Sequence, residues 1–177
     1  MARRADGGFA VTTTAAANVT EHGRGWEGEM GVWGDHHIPG LTKLATRMNS
    51  TGTISLVQLF HGGMRAPRAL NGVRPISASE NTESGMDGEY TREMSSKEVS
   101  QMIQSFTDAA VRCEQAGFSG VELHGAHSYL ICQFLGTKTN RRADQWGGDI
   151  NGRSRFLLEL IKSIRAATGE NFLIAVR

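Results

Sequence analysis

Cysteine is scarce in this 177-residue chain: Cys113 and Cys132 are the only two, and they stand in neither a CxxC pair nor a metal-finger spacing. Such sparse cysteine suits a reducing compartment without demanding one, and both are expected to be free thiols. Charge of one sign is missing as well. Nineteen Lys and Arg against 18 Asp and Glu leave a formal net charge of +1, and no basic run is longer than Arg3-Arg4 or Arg141-Arg142. Binding to nucleic acid or to a membrane surface needs clustered basic residues, so neither is expected and a small-molecule partner is. Long apolar runs are also absent. No stretch reaches the roughly 18 residues that a membrane span requires, and the opening Met1-Ala-Arg-Arg-Ala-Asp-Gly-Gly8 carries charge without an apolar segment behind it. Neither a span nor a secretory signal is expected, which points to a cytoplasmic location. The remaining composition, 39% hydrophobic and 21% charged, is that of a globular protein of about one domain.

What the chain does have is a regular exchange of strand and helix signals. Residues 9–14, a short β-branched run behind Gly7-Gly8, read as a strand followed by a glycine-rich loop. Asp35 is placed to cap a helix carrying Ile38, Leu41, Leu44, Ala45 and Met48 at helical spacing, with Pro39 tolerated in its first turn. Residues 53–60 form a mostly apolar run of strand length, suited to burial on both faces, and its end carries Gln58 and His61. Residues 62–91 show no sustained period and are too long for an ordinary connection, which predicts a functional loop. Ser95 and Glu98 offer a capping box for a helix with Val99, Met102, Ile103, Phe106, Ala110 and Cys113 on one face, ending at Gly117. A strand over 120–124, a polar loop to about Gly152, a helix burying Phe156, Leu157, Leu160, Ile161 and Ile164, and a strand over 172–176 complete the chain.

The order βαβαβαβ favours a parallel sheet with helical crossovers. Four such strands could form a small open sheet. A closed eightfold barrel takes about 250 residues, so a barrel would make residues 1–177 a single partial (β/α) domain. The stop at the end of a buried strand, with its next neighbour unprovided, points the same way.

Chemistry concentrates behind the strand at 120–124, where His124, His127 and Tyr129 follow one another at the carboxyl end. In parallel α/β folds this edge is where reacting groups gather. The HxxH spacing of His124 and His127 alone leaves three readings open: a metal pair, satisfied core histidines, or imidazoles that donate hydrogen bonds to a substrate oxygen. A zinc site would need a third ligand, and Glu122 is too close in sequence to serve comfortably. Tyr129 carries an O–H able to supply a proton.

The run from Ala116 to Leu135, the stretch Thr139-Asn-Arg-Arg-Ala-Asp-Gln-Trp-Gly-Gly148 with Arg153, and the upstream Gly23-Arg-Gly25, Gly31-Val-Trp-Gly-Asp35 and Val57-Gln-Leu-Phe-His-Gly-Gly-Met-Arg65 closely resemble the old yellow enzyme family of FMN-dependent NAD(P)H:flavin oxidoreductases and ene-reductases. The resemblance runs from about Gly8 to Arg177. It implies a partial TIM (β/α)8 barrel, approximately the second to fifth barrel strands with their helices. It also implies FMN as cofactor and NADH or NADPH as reductant, in a ping-pong reduction of activated alkenes such as enones.

Residue by residue, the resemblance gives Gln58 the flavin's pyrimidine edge, Arg177 the neighbourhood of flavin N1 and O2, and Ala16 a close backbone approach to the ring. His124 and His127 match the pair that grips the substrate's activating carbonyl, with His124 also near the flavin, and Tyr129 matches the proton donor. Asn140, Arg142, Asp144, Gly147, Gly148 and Arg153 match a signature loop read as structural. Asn151-Gly152-Arg153 stands where the family has Glu-Asn-Arg, and Gly136 where Ser is common. The family's first strand, with its flavin-tuning residue, and its sixth to eighth strands, which bind the FMN phosphate, have no counterpart in the sequence, so tight FMN binding is not expected of these groups alone. Two rivals follow: a catalytically silent half-barrel that must associate with another chain to bind FMN, and a metal-dependent hydrolase using His124 and His127.

Overall fold

The computed structural model describes residues 1–82 and 91–177. In chain order its helices and strands are α1 (Ala2–Asp6), β1 (Val11–Asn18), β2 (Met30–Gly31), α2 (Ile38–Asn49), β3 (Ile54–Phe60), α3 (Arg68–Asn71), β4 (Ile76–Ser77), β5 (Arg92–Glu93), α4 (Ser96–Gln115), β6 (Gly120–Leu123), α5 (Leu130–Leu135), α6 (Ile150–Ala167) and β7 (Leu173–Val176). The main sheet has the order β2-β1-β3-β6-β7 and every pair in it is parallel. Strands β1, β3, β6 and β7 therefore lie side by side in sequence order, with helices on the crossovers between them, which is the wall of a (β/α) barrel. β4 and β5 form a separate parallel pair.

Register decides which side chains meet. Ala16 pairs with Gln58, Gln58 with Glu122, and Glu122 with Ala175, so these four form one row across four strands. Because strand side chains alternate faces, the row two residues further on belongs to the same face. On β6 and its extension that next position is His124.

The layer of helices seals the other face. Phe106 of α4, Phe134 of α5 and Phe156 of α6 are fully buried, with Phe134 stacked on Phe156 at 4.4 Å and Phe106 edge-on to it at 6.5 Å between ring centroids. The capping box forms as the sequence predicts: Glu98 N donates to Ser95 Oγ at 3.3 Å and Ser95 N donates to Glu98 Oε2 at 2.8 Å. Cys113 and Cys132 are free thiols. Burial pushes the Cys113 thiol up to about 12, so it packs as an inert apolar group. Among the described residues no helix is long and apolar enough to cross a membrane.

Several boundaries differ from the sequence reading. β1 begins at Val11 rather than Phe9 and continues past Thr14 to Asn18, because Ala16, Ala17 and Asn18 pair with β3 after a register irregularity at Thr13 and Ala16. A weak local strand signal is carried by its partner's ladder. Asp35 does not cap α2: the N-cap is His37, without a side-chain cap bond, while the Asp35 carboxylate accepts from Arg112 Nε at 2.6 Å. The polar stretch before Gly152 contains α5 and the true cap of α6, Asp149, whose Oδ1 accepts from Gly152 N at 3.0 Å. Of the long loop at 62–91, the described part folds into a 3₁₀ turn at Gly63–Arg65, α3 and β4; residues 83–90 lie outside the described residues.

Gly152 stands where the chain has no room for a side chain. A Cβ at this position would overlap the Gly147 carbonyl oxygen, so glycine lets the first turn of α6 close onto the Gly147-Gly148 turn. Alanine favours a helix over glycine by about 1 kcal/mol, yet Gly152→Ala is expected to destabilise the fold by roughly 1–3 kcal/mol, because the overlap is with backbone. Urea midpoints of the two proteins measure it. A higher midpoint for the variant would mean that the Gly147 carbonyl yields freely.

Candidate active site

The parallel ladder continues for one rung past β6. His124 N donates to Leu59 O and Arg177 N to Leu123 O, both at 3.0 Å, and Gly125 N donates to Arg177 O at 2.9 Å. His124 and Arg177 are thereby fixed by backbone at the carboxyl ends of adjacent strands. The Arg177 residue is exposed, whereas His124 is 5% exposed.

Beyond Ala126 the chain makes a tight turn in which His127 and Ser128 both have φ of 58°. Left-handed backbone costs a non-glycine residue about 1–2 kcal/mol, so two in succession need outside support. Gln133 supplies much of it. Its Nε2 donates to Ser128 O at 2.6 Å and Gly62 O at 3.3 Å, and its Oε1 accepts from Met64 N at 3.1 Å and Ser77 Oγ at 2.9 Å. The amide is thus used to capacity while 1% exposed. Gly63, at φ 61°, leaves room for that amide, which a side chain there would overlap. Arg65 Nη1 donates to His127 O at 2.9 Å, and Leu130 N donates to His61 O at 3.1 Å.

The strained turn brings three predicted residues together. His127 Nδ1 lies 3.4 Å from His124 Nε2, and the Tyr129 ring centre is 5.0 Å from that of His124. Phe60, from the adjacent strand, meets Tyr129 edge-on at 4.4 Å, and the Arg65 guanidinium carbon sits 5.3 Å from the Tyr129 ring centre. Aromatic edge and cation hold the phenol ring between them.

The cationic form of His124 is disfavoured. Burial is the largest cause lowering its pKa, His127 and Arg177 lower it further, and Glu122 opposes them. A neutral imidazole has one donor and one acceptor nitrogen, and His124 Nδ1 is buried with no hydrogen-bond partner. Such an orphaned polar atom in a mouth of aromatic and imidazole groups is a place for a ligand. His61, buried just past the end of β3, is pushed down to about 4 by its burial, with His22 adding to the shift, and its Nδ1 accepts from Gly63 N at 3.0 Å. It is occupied in holding its own loop.

Deeper in the sheet, Gln58 N donates to Thr14 Oγ1 at 3.2 Å, and Gln58 Nε2 donates to Glu122 Oε1 at 2.5 Å. Gln58 and Ala16 are 6% and 7% exposed and directly paired across β1 and β3. The signature loop is scaffold: Asn140 Nδ2 donates to Phe134 O at 2.7 Å and Trp146 O at 2.8 Å, Arg153 Nε donates to Leu135 O at 3.1 Å, and Arg142 grips Asp144. Sequence reasoning missed Gln133, Arg65 and the Gln58–Glu122 contact. A lone Gln inside the apolar run Leu130-Ile-Cys-Gln-Phe-Leu135 was a readable signal for the first; the others depend on contacts between distant segments. Among the described residues no group of three His, Cys, Asp or Glu side chains is placed to hold a metal ion.

Comparisons with known proteins agree with this architecture. The family model described as "NADH:flavin oxidoreductase / NADH oxidase family" matches residues 1–177. The probable NADH-dependent flavin oxidoreductase YqiG of Bacillus subtilis (strain 168) is 37% identical over 175 residues, covering 94% of this chain and 46% of that protein. A 2-naphthoyl-CoA reductase structure superposes with a TM-score of 0.94 at 32% identity, covering 99% of this chain and 28% of the other. The old yellow enzyme homologue from Zymomonas mobilis superposes with a TM-score of 0.87 at 26% identity, covering 94% of this chain and 49% of that one. The chain thus spans about half the length, or less, of the relatives it matches, and its four consecutive parallel strands are part of their barrel. By its matched sequence and its sheet, this chain belongs to the NADH:flavin oxidoreductase / NADH oxidase family.

Proposed function

We propose that this chain carries the isoalloxazine and substrate side of an FMN-dependent NAD(P)H oxidoreductase that reduces activated alkenes such as enones. The observation that carries the reading is the mouth at the end of β6, where His124, His127 and Tyr129 stand within contact distance and His124 Nδ1 has no partner. The residues present fit a flavin. Gln58 offers an amide on the sheet's inner row, Ala16 beside it leaves room for close approach, and Arg177 and His124 stand two residues further out on the same face. FMN, when bound, would supply the hydride that it had received from NADH or NADPH.

The protein's own side chains do the rest. His124 and His127 donate hydrogen bonds to the activating carbonyl oxygen, so that negative charge developing there is met by fixed donors. Tyr129 delivers its phenolic proton to the α-carbon. The Arg177 guanidinium would supply a positive charge to the pyrimidine ring of the flavin when that is bound.

A second reading has its own observation. Leu173 and Val176 on β7 are 43% and 47% exposed, and Phe9 and Val11 at β1 are 60% and 46% exposed, so both flanks of the sheet present apolar groups. A half-barrel of this kind would need a further chain against those flanks before it held FMN. Titration of the purified chain with FMN, followed by flavin fluorescence and by mass in solution, tests the proposal. Saturable quenching at one FMN per chain, in monomer or assembly, is expected. Unquenched flavin at every protein concentration would remove the proposed function from this chain.

A further inference from the structure

Gln58 is the only side chain on the inner row that offers both a donor and an acceptor among Ala16, Gln58, Glu122 and Ala175. A primary amide has two nearly isosteric orientations, and they present opposite hydrogen-bonding groups to a ligand. The neighbouring strand chooses between them. Glu122, directly opposite Gln58 in the β3–β6 register, accepts from Gln58 Nε2 at 2.5 Å. An ionised carboxylate has acceptors only, so its partner must be the NH₂ end of the amide. Turning the amide over would set its oxygen against the carboxylate and exchange a short charge-assisted bond for repulsion. Gln58 Oε1 accepts no hydrogen bond among the described residues and is not a buried orphan, which leaves it as the group available to a ligand.

We infer that Glu122 is a positioning residue that fixes Gln58 with its amide oxygen toward the ligand, so that the site selects a ring edge presenting an N–H donor. The inference rests on the flavin reading above. On that reading the selected group is the imide N3–H of the isoalloxazine pyrimidine ring, and the same ring methylated at N3 has lost the donor. The β3–β6 row is therefore a specificity device as well as a wall. Glu122 also faces His124, two residues further along its own strand, and moderates the lowering of its pKa by burial, His127 and Arg177.

The test compares FMN with 3-methyl-FMN by fluorescence quenching, in the wild-type chain and in Glu122→Gln. The wild type is expected to bind FMN roughly 10- to 100-fold more tightly than the methylated flavin, the cost of leaving an acceptor unmatched. Glu122→Gln lets the amide adopt either orientation, and the preference is expected to fall to about threefold or less, chiefly through better binding of 3-methyl-FMN. Side-chain amide resonances of ligand-free protein give a second readout, with one Gln58 NH₂ proton shifted downfield in the wild type and released in the variant. FMN binding with no preference in the wild type, or an undiminished preference in the folded variant, would overturn the inference and leave the flavin reading intact. A wild type that binds neither flavin would overturn both. Because an absent wild-type preference overturns the inference by itself, a variant that fails to fold does not protect it.

Discussion

Tyr129→Phe in the FMN-loaded protein is expected to slow alkene reduction by roughly 10²–10⁴-fold, the usual contribution of a positioned general acid, while leaving flavin reduction by NAD(P)H unchanged. The structure gives the substitution unusual clarity. The Tyr129 ring is held by Phe60 at 4.4 Å, by His124 at 5.0 Å and by Arg65 across its face at 5.3 Å, all contacts that phenylalanine retains. Only the O–H is removed. Stopped-flow measurement of the two half-reactions separates the outcomes: loss confined to the alkene step is expected, whereas equal loss in both would mean that the ring merely packs the mouth. Unchanged alkene turnover would assign the proton to solvent or to another group. His124 and His127 lie beside the phenol but serve a different end in the proposal, holding a carbonyl, so their removal should weaken substrate binding as well as turnover.

The largest effect on stability is expected away from the mouth, at Arg142. Its side chain is 4% exposed and reaches three separate segments. Nη1 donates to Ala78 O at 3.0 Å and, in a very short contact, to Met94 O, while Nε and Nη2 donate to the two carboxylate oxygens of Asp144 at 2.9 and 2.6 Å. Glu93 adds a longer ion pair at 3.4 Å. Arg142 therefore ties the β4–β5 region to the start of α4 and to its own loop. Arg142→Met keeps the aliphatic stem's volume and withdraws every donor. Leaving the Ala78 and Met94 carbonyls without it, at about 1–3 kcal/mol for each unmatched buried group, gives an expected destabilisation of roughly 3–5 kcal/mol. Chemical denaturation checks this, and a loss under about 1 kcal/mol, the scale of an exposed ion pair, would show that the loop stands without its arginine. The Arg142 guanidinium also holds the Asp144 carboxyl far below the usual carboxylate range, helped by Ser96 Oγ and Trp146 N against the opposing effect of burial. A depressed folded-state pKa stabilises above the unfolded value and is lost as pH falls, so the gap between wild type and variant should narrow in acid.

Much of the site is legible in the sequence alone. The strand over 120–124 and the helix from Ser95 announced themselves by apolar period and capping box, and the placement of His124, His127 and Tyr129 followed from where such a strand must end. Local rules sufficed because those signals are carried by neighbours in sequence. They failed where a distant segment decides. The extension of β1 through Ala15 to Asn18 needs β3 beside it, and Asp35 turns to Arg112 instead of to its own helix, while α5, only six residues long, is too short for a helical period to show.

The sequence by itself determined the alternation of strands and helices, the membership of its motifs in one family, and the gathering of His124, His127 and Tyr129 behind one strand. Those properties depend on residue type, spacing and short-range periodicity. The tertiary structure alone decided that His127 and Ser128 adopt left-handed backbone under the grip of Gln133, that His124 is buried, its pKa lowered and one nitrogen unmatched, and that Glu122 holds the Gln58 amide from the next strand. Each of these arises between residues brought together by register and burial, where hydrogen-bond capacity and desolvation act across distances that sequence does not express.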